Sequence, residues 1–137
     1  MNLSGKRIMI VDDIEMGRDV ILKLLENSGA VIDSAVNGYD AVKLFTENKY
    51  DLVFMDLHMP VMSGYIASRN IRDLPLLWSN IVPIISVSAE DSVELRTKCR
   101  ESGINDHLKK PFTNKTLFAI IEKWIFSASA PGITVPA

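Results

Sequence analysis

Leu52-Val53-Phe54-Met55-Asp56 is an unbroken apolar run that stops on a carboxylate. It is too short for a helix and apolar at every position before the acid, so it reads as a strand buried on both faces, the form that strands take in parallel sheets covered by helices. Similar runs flank it in the sequence. Arg7 to Val11 stops at Asp12 and Asp13, and Ile81 to Val87 stops at Ser88, while a fourth short segment, Asp106 to Lys109, leads to Lys110 and Pro111. Ligands of such sheets bind just beyond the strands' carboxyl ends, so the acids, the hydroxyl and the ammonium converge on one edge.

Strand and helix signals alternate five times along the chain, which predicts an α/β sheet with right-handed crossovers. Met16, Val20, Ile21, Leu24 and Leu25 share one face of a first helix that Gly29 terminates. Val31 to Val36, diluted by Asp33 and Ser34, reads as an edge strand. Asn37 caps a second helix that carries Ala41, Leu44 and Phe45 inward, and Asn48 to Tyr50 closes it. His58 to Gly64 is a loop, followed by a third helix to Asp73. The fourth helix, between Asp91 and Ser102, has only Val93, Leu95 and Cys99 as apolar residues, with Leu95 out of phase. It should sit at the low-stability end of the fold. In the fifth helix Leu117, Ile120, Ile121, Trp124 and Ile125 follow the i, i+3, i+4, i+7, i+8 template behind a cap at Thr113 or Asn114. These boundaries give one domain over residues 1–126, with the Ser-, Ala-, Pro- and Gly-rich residues 127–137 as a flexible tail or linker stub.

Composition narrows the function classes. The chain has 137 residues and a net charge of −2, with no Lys or Arg stripe to meet nucleic acid or an anionic membrane. No apolar stretch approaches the roughly 20 residues of a membrane span. Cys99 is the only cysteine, so there is no internal disulfide, and a reducing cytoplasmic setting is expected.

Three carboxylates at one sheet edge raise one another's pKa unless a cation fills the cluster, and a hard divalent ion, Mg²⁺ above all, suits oxygen ligands. Asp12 and Asp13 are adjacent in sequence and suited to hold the ion, whereas Asp56 stands alone on the central strand as the candidate nucleophile. A carboxylate that attacks phosphorus gives an acyl phosphate, and Ser88 and Lys110 are placed to neutralise charge on its oxygens. His58 reads as a loop residue at the mouth of the site, because Mg²⁺ disfavours imidazole. Met59 and Met62 read as packing, and Gly64 as a requirement of backbone geometry. His58 lies two residues after Asp56 and Glu90 two after Ser88. Both should flank the hydrolytic water and tune the lifetime of the phosphoryl group.

Val11-Asp12-Asp13, the segment Asp56 to Gly64, the segment Pro83 to Ala89 and Lys110-Pro111-Phe112 together resemble the four signature blocks of response-regulator receiver domains, over Lys6 to about Phe126. Met59-Pro60-Val61-Met62 and Val11-Asp12-Asp13 with Arg18 most resemble the receivers of hybrid sensor histidine kinases. The resemblance implies a doubly wound five-stranded parallel sheet, a flavodoxin-like (CheY-like) three-layer sandwich, and strand order 2-1-3-4-5 is that family's known order. It implies that Asp56 accepts a phosphoryl group from a phosphohistidine on a histidine kinase or histidine phosphotransfer protein. Asp13, Asp56 and the main-chain carbonyl of His58 would ligate Mg²⁺, with Asp12 acting largely through water. Catalysis would be confined to the domain's own phosphoryl transfer and dephosphorylation. Ser88 and His107 would be the switch, His107 standing where an aromatic is common and Ser88 where Thr is. The output surface would be the fourth helix, fifth strand and fifth helix, through which a weak dimer could also form.

Rival readings fare worse on the same residues. An aspartate-nucleophile phosphatase of the haloacid-dehalogenase kind wants a second Asp two positions after the nucleophile, where this chain has His58. A nucleotide-binding module wants a Gly-rich loop after the first strand, where Asp12-Asp13-Ile14-Glu15 presents negative charge. A degenerate receiver that acts only through protein contact usually lacks an acid or the lysine, and here all five positions are filled.

Overall fold

The computed structural model describes residues 1–126; the tail expected over 127–137 lies outside them. The elements alternate as β1 (Arg7–Val11), α1 (Glu15–Leu25), β2 (Val31–Ala35), α2 (Gly38–Glu47), β3 (Leu52–Asp56), α3 (Gly64–Arg72), β4 (Ile84–Ser88), α4 (Val93–Glu101), β5 (Asp106–Lys109) and α5 (Asn114–Ile121), the last continued by a π-helical turn, Glu122–Phe126. All five strands are parallel in the order β2-β1-β3-β4-β5, so β3 is central and β2 is an edge.

Alternation along each strand builds two cores. Met9, Val11, Val53, Met55 and Ile84 face α2, α3 and α4, where they meet Phe45, Ile71 and Leu95. Ile8, Ile10, Leu52, Phe54 and Ile85 face α1 and α5, where they meet Ile21, Leu25, Leu117 and Trp124. With both faces covered, β1, β3 and β4 need apolar residues at nearly every position, which is why they read as continuous runs. Met59 and Met62 pack into the first of these cores.

Caps fall at the expected places. Asn37 accepts from the Asp40 amide to start α2, and Thr113 and Thr116 form a reciprocal capping box for α5. Gly29 has φ +90°, the left-handed conformation that the connection into β2 requires.

Three expectations are corrected. Met16 and Val20 were placed on the inward face of α1, yet they are 75% and 46% exposed, and the helix buries Ile21 and Leu25. In α4 the out-of-phase residue is Val93, 79% exposed, while Leu95 and Cys99, four apart, form the buried stripe. The fourth strand starts at Ile84, because the Ile81 and Val82 amides both donate to the Trp78 carbonyl and hold Ile81 in a turn. Within that connection Leu76 and Trp78 pack on the core, leaving Leu77 outside.

Candidate functional site

β1 and β3 are neighbours, and each ends in an acid on the same edge of the sheet. Asp12, Asp13 and Asp56 each bring one carboxylate oxygen to within 4.8 Å of the others. Asp12 and Asp56 are buried, and Asp13 Oδ1 is shut off from solvent with no hydrogen-bond partner. An orphaned acceptor among three acids is a donor set that fits a hard divalent cation.

Local contacts fix the cluster's shape. Asp12 Oδ1 accepts from the Ile14 amide at 2.9 Å, while Arg18 Nη1 donates to the Asp12 carbonyl at 2.8 Å and ties α1 to the end of β1. The His58 amide donates to Asp56 Oδ1 at 3.4 Å. Lys110 Nζ lies 3.6 Å from Asp12 Oδ2, and the Lys110 amide donates to the Ser88 carbonyl at 2.8 Å, joining the ends of β4 and β5. The Asp56 carboxyl is raised from 3.8 to about 6, first by burial and then by the Asp12 charge, with the Lys110 ammonium and the His58 amide pulling it down. At neutral pH it is ionised yet unusually basic.

Two glycines make room for this geometry. A Cβ on Gly64 would meet the Asp56 carbonyl oxygen at 2.1 Å, so the turn after β3 admits no side chain there. A Cβ on Gly17 would meet Asp12 Oδ2 at the same distance, 2.1 Å. Sequence reasoning missed Gly17, since a lone glycine inside a helical pattern carries no mark of what faces it. Gly17→Ala should leave α1 intact, because Ala is the better helix former. It should nonetheless displace the Asp12 carboxylate and weaken Mg²⁺ binding about tenfold, the usual order for disturbing the surroundings of a ligand. Calorimetric titration with Mg²⁺ measures this; equal affinities for wild type and variant would show that the carboxylate's position does not matter.

Ser88 donates its hydroxyl to the Glu90 carbonyl at 2.9 Å. His107 is buried, with Nδ1 2.6 Å from Ser86 Oγ and Nε2 2.9 Å from that same Glu90 carbonyl. Ser88 and His107, paired as a switch in the sequence reading, therefore meet at one acceptor. His58 and Glu90 stand on the walls of a cleft of about 530 Å³ between the β3–α3 loop and α4, with Ser63, Tyr65, Glu94 and Lys98.

A second surface feature adjoins the acids. Ile14, Met16 and Val20 are exposed on or beside α1 and, with Phe112, line a groove of about 500 Å³ whose walls include Asp12 and Lys110. Met16 and Val20, which periodicity put on the same helix face as Ile21 and Leu25, thus border the site.

Comparison with known proteins agrees with this geometry. The family model for the response regulator receiver domain matches residues 8–122. The chain is 34% identical over 128 residues to hybrid signal transduction histidine kinase B of Dictyostelium discoideum, a match covering 86% of this chain and 6% of that kinase. Among solved structures, the receiver domain of the sensor histidine kinase PA1611 from Pseudomonas aeruginosa, with a magnesium ion coordinated in its active-site cleft, superposes with a TM-score of 0.81 at 34% identity, covering 90% of this chain and all of that one. The receiver domain of Ssk1 from Saccharomyces cerevisiae, solved with the histidine phosphotransfer protein Ypd1, superposes with a TM-score of 0.79 at 29% identity, covering 88% of each chain.

Proposed function

The chain belongs to the response regulator receiver domain family, the signalling modules of two-component systems, and from that premise we propose that Asp56 is its phosphoacceptor, charged by a phosphohistidine on a histidine kinase or phosphotransfer protein. The observation that carries this reading is the cluster itself. Three carboxylates share one sheet edge with a lysine, and the acid on the central strand has its pKa raised to about 6.

The chemistry follows from these groups. An Asp56 oxygen attacks phosphorus, the P–N bond to the donor imidazole breaks, and the departing nitrogen takes up a proton, leaving an acyl phosphate on Asp56. The raised basicity of Asp56 supports its role as nucleophile, and the nearby Lys110 charge keeps it ionised at neutral pH. Asp12, Asp13, Asp56 and the His58 carbonyl would hold Mg²⁺, which when bound supplies positive charge against the oxygens of the transferred group. The orphaned Asp13 Oδ1 supports that assignment. Lys110 and, after turning from Glu90, Ser88 would bind the remaining phosphoryl oxygens. His58 and Glu90, across one cleft, would set how readily water reaches the acyl phosphate.

The groove beside Asp12 fits the donor's approach. A phosphohistidine must enter over the acids, and Ile14, Met16 and Val20 offer it exposed apolar surface in the groove that Asp12 and Lys110 also line. That surface supports docking of a histidine-bearing domain along α1. It suits a protein donor better than a small molecule.

Incubation with acetyl phosphate and Mg²⁺, followed by mass spectrometry, tests the reading. One added phosphoryl mass is expected, removed by hydroxylamine, mapped to Asp56 and prevented by chelator, with Lys110→Ala lowering the yield. A phosphoryl group on any other residue would overturn it.

A further inference from the structure

The Glu90 carbonyl is the end point of two hydrogen bonds, from Ser88 Oγ and from His107 Nε2, each 2.9 Å. A carbonyl has no hydrogen to give, so the imidazole proton must reside on Nε2. His107 is buried, and burial lowers its pKa, so the ring is neutral and Nδ1 is left as an acceptor. Ser86 Oγ, fully buried, lies 2.6 Å from Nδ1 and 3.2 Å from the Asp106 carbonyl, and its single hydrogen goes to the nearer acceptor, the Nδ1 that requires a donor. Cys99 Sγ lies 3.5 Å from Ser86 Oγ and donates to it. The hydrogens thus point one way, from Cys99 through Ser86 and His107 to the Glu90 carbonyl, where Ser88 joins from the other side.

The strand that bears His107 is held from its far side too. Asp106 accepts from Trp124 Nε1 at 2.8 Å and from Lys123 Nζ at 3.3 Å, fastening β5 to the end of the last helix. The β4–α4 loop is tied differently. Ser92, which caps α4 by accepting from the Leu95 amide, donates to Glu90 Oε2 at 2.9 Å, so the cap moves with Glu90.

We propose that Ser86, backed by Cys99, is a positioning residue that fixes His107 as a stationary donor to the Glu90 carbonyl, so that phosphorylation is transmitted by exchange of one hydrogen bond at that carbonyl and not by rotation of the residue-107 side chain. The proposal rests on Asp56 being the phosphoacceptor. When Ser88 turns toward a phosphoryl oxygen, Glu90 loses one of its two donors and His107 keeps the other with its competitor gone. The ring is held at both nitrogens before and after. The strain of the exchange falls on Glu90 and, through Ser92, on the first turn of α4, a helix that buries only Leu95 and Cys99. The signal therefore leaves through the β4–α4 loop while β5 and α5 keep their shape.

Nitrogen-15 spectra of the histidine rings in the full chain, with and without beryllofluoride and Mg²⁺, test this. In the wild type the His107 ring should show the Nε2–H tautomer in both states, its Nε2 resonance moving on addition while amide shifts concentrate over residues 88–96 and spare β5 and α5. Ser86→Ala leaves the Glu90 carbonyl to hold Nε2–H but frees the ring at Nδ1, so it should shift and broaden the Nδ1 resonance and allow the shifts on addition to spread into β5. Ser86→Cys, which keeps the shape but offers a weaker donor, should fall between. A wild-type ring that changes tautomer or rotamer on addition overturns the proposal, and so does Ser86→Ala with an unaltered Nδ1 resonance. Failure of beryllofluoride to bind, read separately by fluorine resonance, would count against Asp56 as phosphoacceptor, and the resting-state Nδ1 resonance in wild type and Ser86→Ala would still decide the role of Ser86.

Discussion

Asp56→Asn will abolish hydroxylamine-labile phosphoryl incorporation and, in metal-free protein at pH 7–8, will make the domain more stable than the wild type. The first effect follows because the amide is a poor nucleophile, and residual labelling on Asp12 or Asp13, the carboxylates within 4.8 Å, would count against Asp56 as phosphoacceptor. The second follows from linkage. The folded-state pKa of Asp56 is raised from 3.8 to about 6, by burial first and by the Asp12 charge second. A group raised in the fold contributes stability that is fully present below about pH 3.8 and is lost as pH rises through about 6. Above that pH the metal-free fold must hold a buried carboxylate against its neighbours, whereas Asn carries no charge. Solvent screening at the open mouth of the site discounts the full value of the shift, leaving a gain of about 1–2 kcal/mol at pH 7–8 and none near pH 4. Urea denaturation in EDTA from pH 4 to 8 measures it. Mg²⁺ should reverse the order, since ion binding stabilises the protein that binds it more tightly. Stabilities that stay equal across the whole range would mean that neither burial nor the neighbouring acids penalise the Asp56 charge.

That experiment probes the part of the molecule most legible in the sequence. Asp12, Asp13, Asp56 and Ser88 end apolar runs and Lys110 ends a fourth short segment, and parallel strands align such endpoints on one edge, so their meeting place could be read from the sequence. The outward face of α1 was not legible. Met16, Val20, Ile21 and Leu25 lie within one apolar arc, and periodicity gives the arc without saying which part of it a sheet covers. Helix α4 failed for lack of signal: with three apolar residues the phase is set only by contact with Ser86 and β4, and Val93 counts as much as Leu95 until the neighbours are known. His107 could be marked as unusual for its position, but that both ring nitrogens are engaged depends on Ser86 and on a main-chain carbonyl of a distant loop. Main-chain acceptors leave no trace in a pattern of side chains.

Arg72 is the largest such omission, and Arg72→Ala should destabilise the domain by about 3–4 kcal/mol without touching the chemistry. Its guanidinium, at the end of α3, donates to the Gly103 carbonyl from Nε at 2.9 Å and from Nη2 at 2.7 Å, to the Ser79 carbonyl at 3.0 Å and to Asn105 Oδ1 at 2.8 Å. Asn105 Oδ1 also accepts from the Ile84 amide, so one side chain joins α3 to the segments that enter β4 and β5. Burial lowers the Arg72 pKa to about 10, which leaves it charged at neutral pH. Truncation strands several acceptors at once, and each buried acceptor left unpaired costs about 1–3 kcal/mol. Arg72→Met, which keeps the apolar stem, should recover the smaller share. All of these contacts lie where β4 and β5 begin, whereas the acids lie where strands end. Urea denaturation should therefore show a lower midpoint for Arg72→Ala, while the extent of labelling by acetyl phosphate without denaturant matches the wild type. A variant that kept its midpoint would show that water satisfies those carbonyls. One that kept its fold but lost labelling would show that the two ends of the sheet are coupled, against the division of labour in which one edge holds the molecule together and the other carries its chemistry.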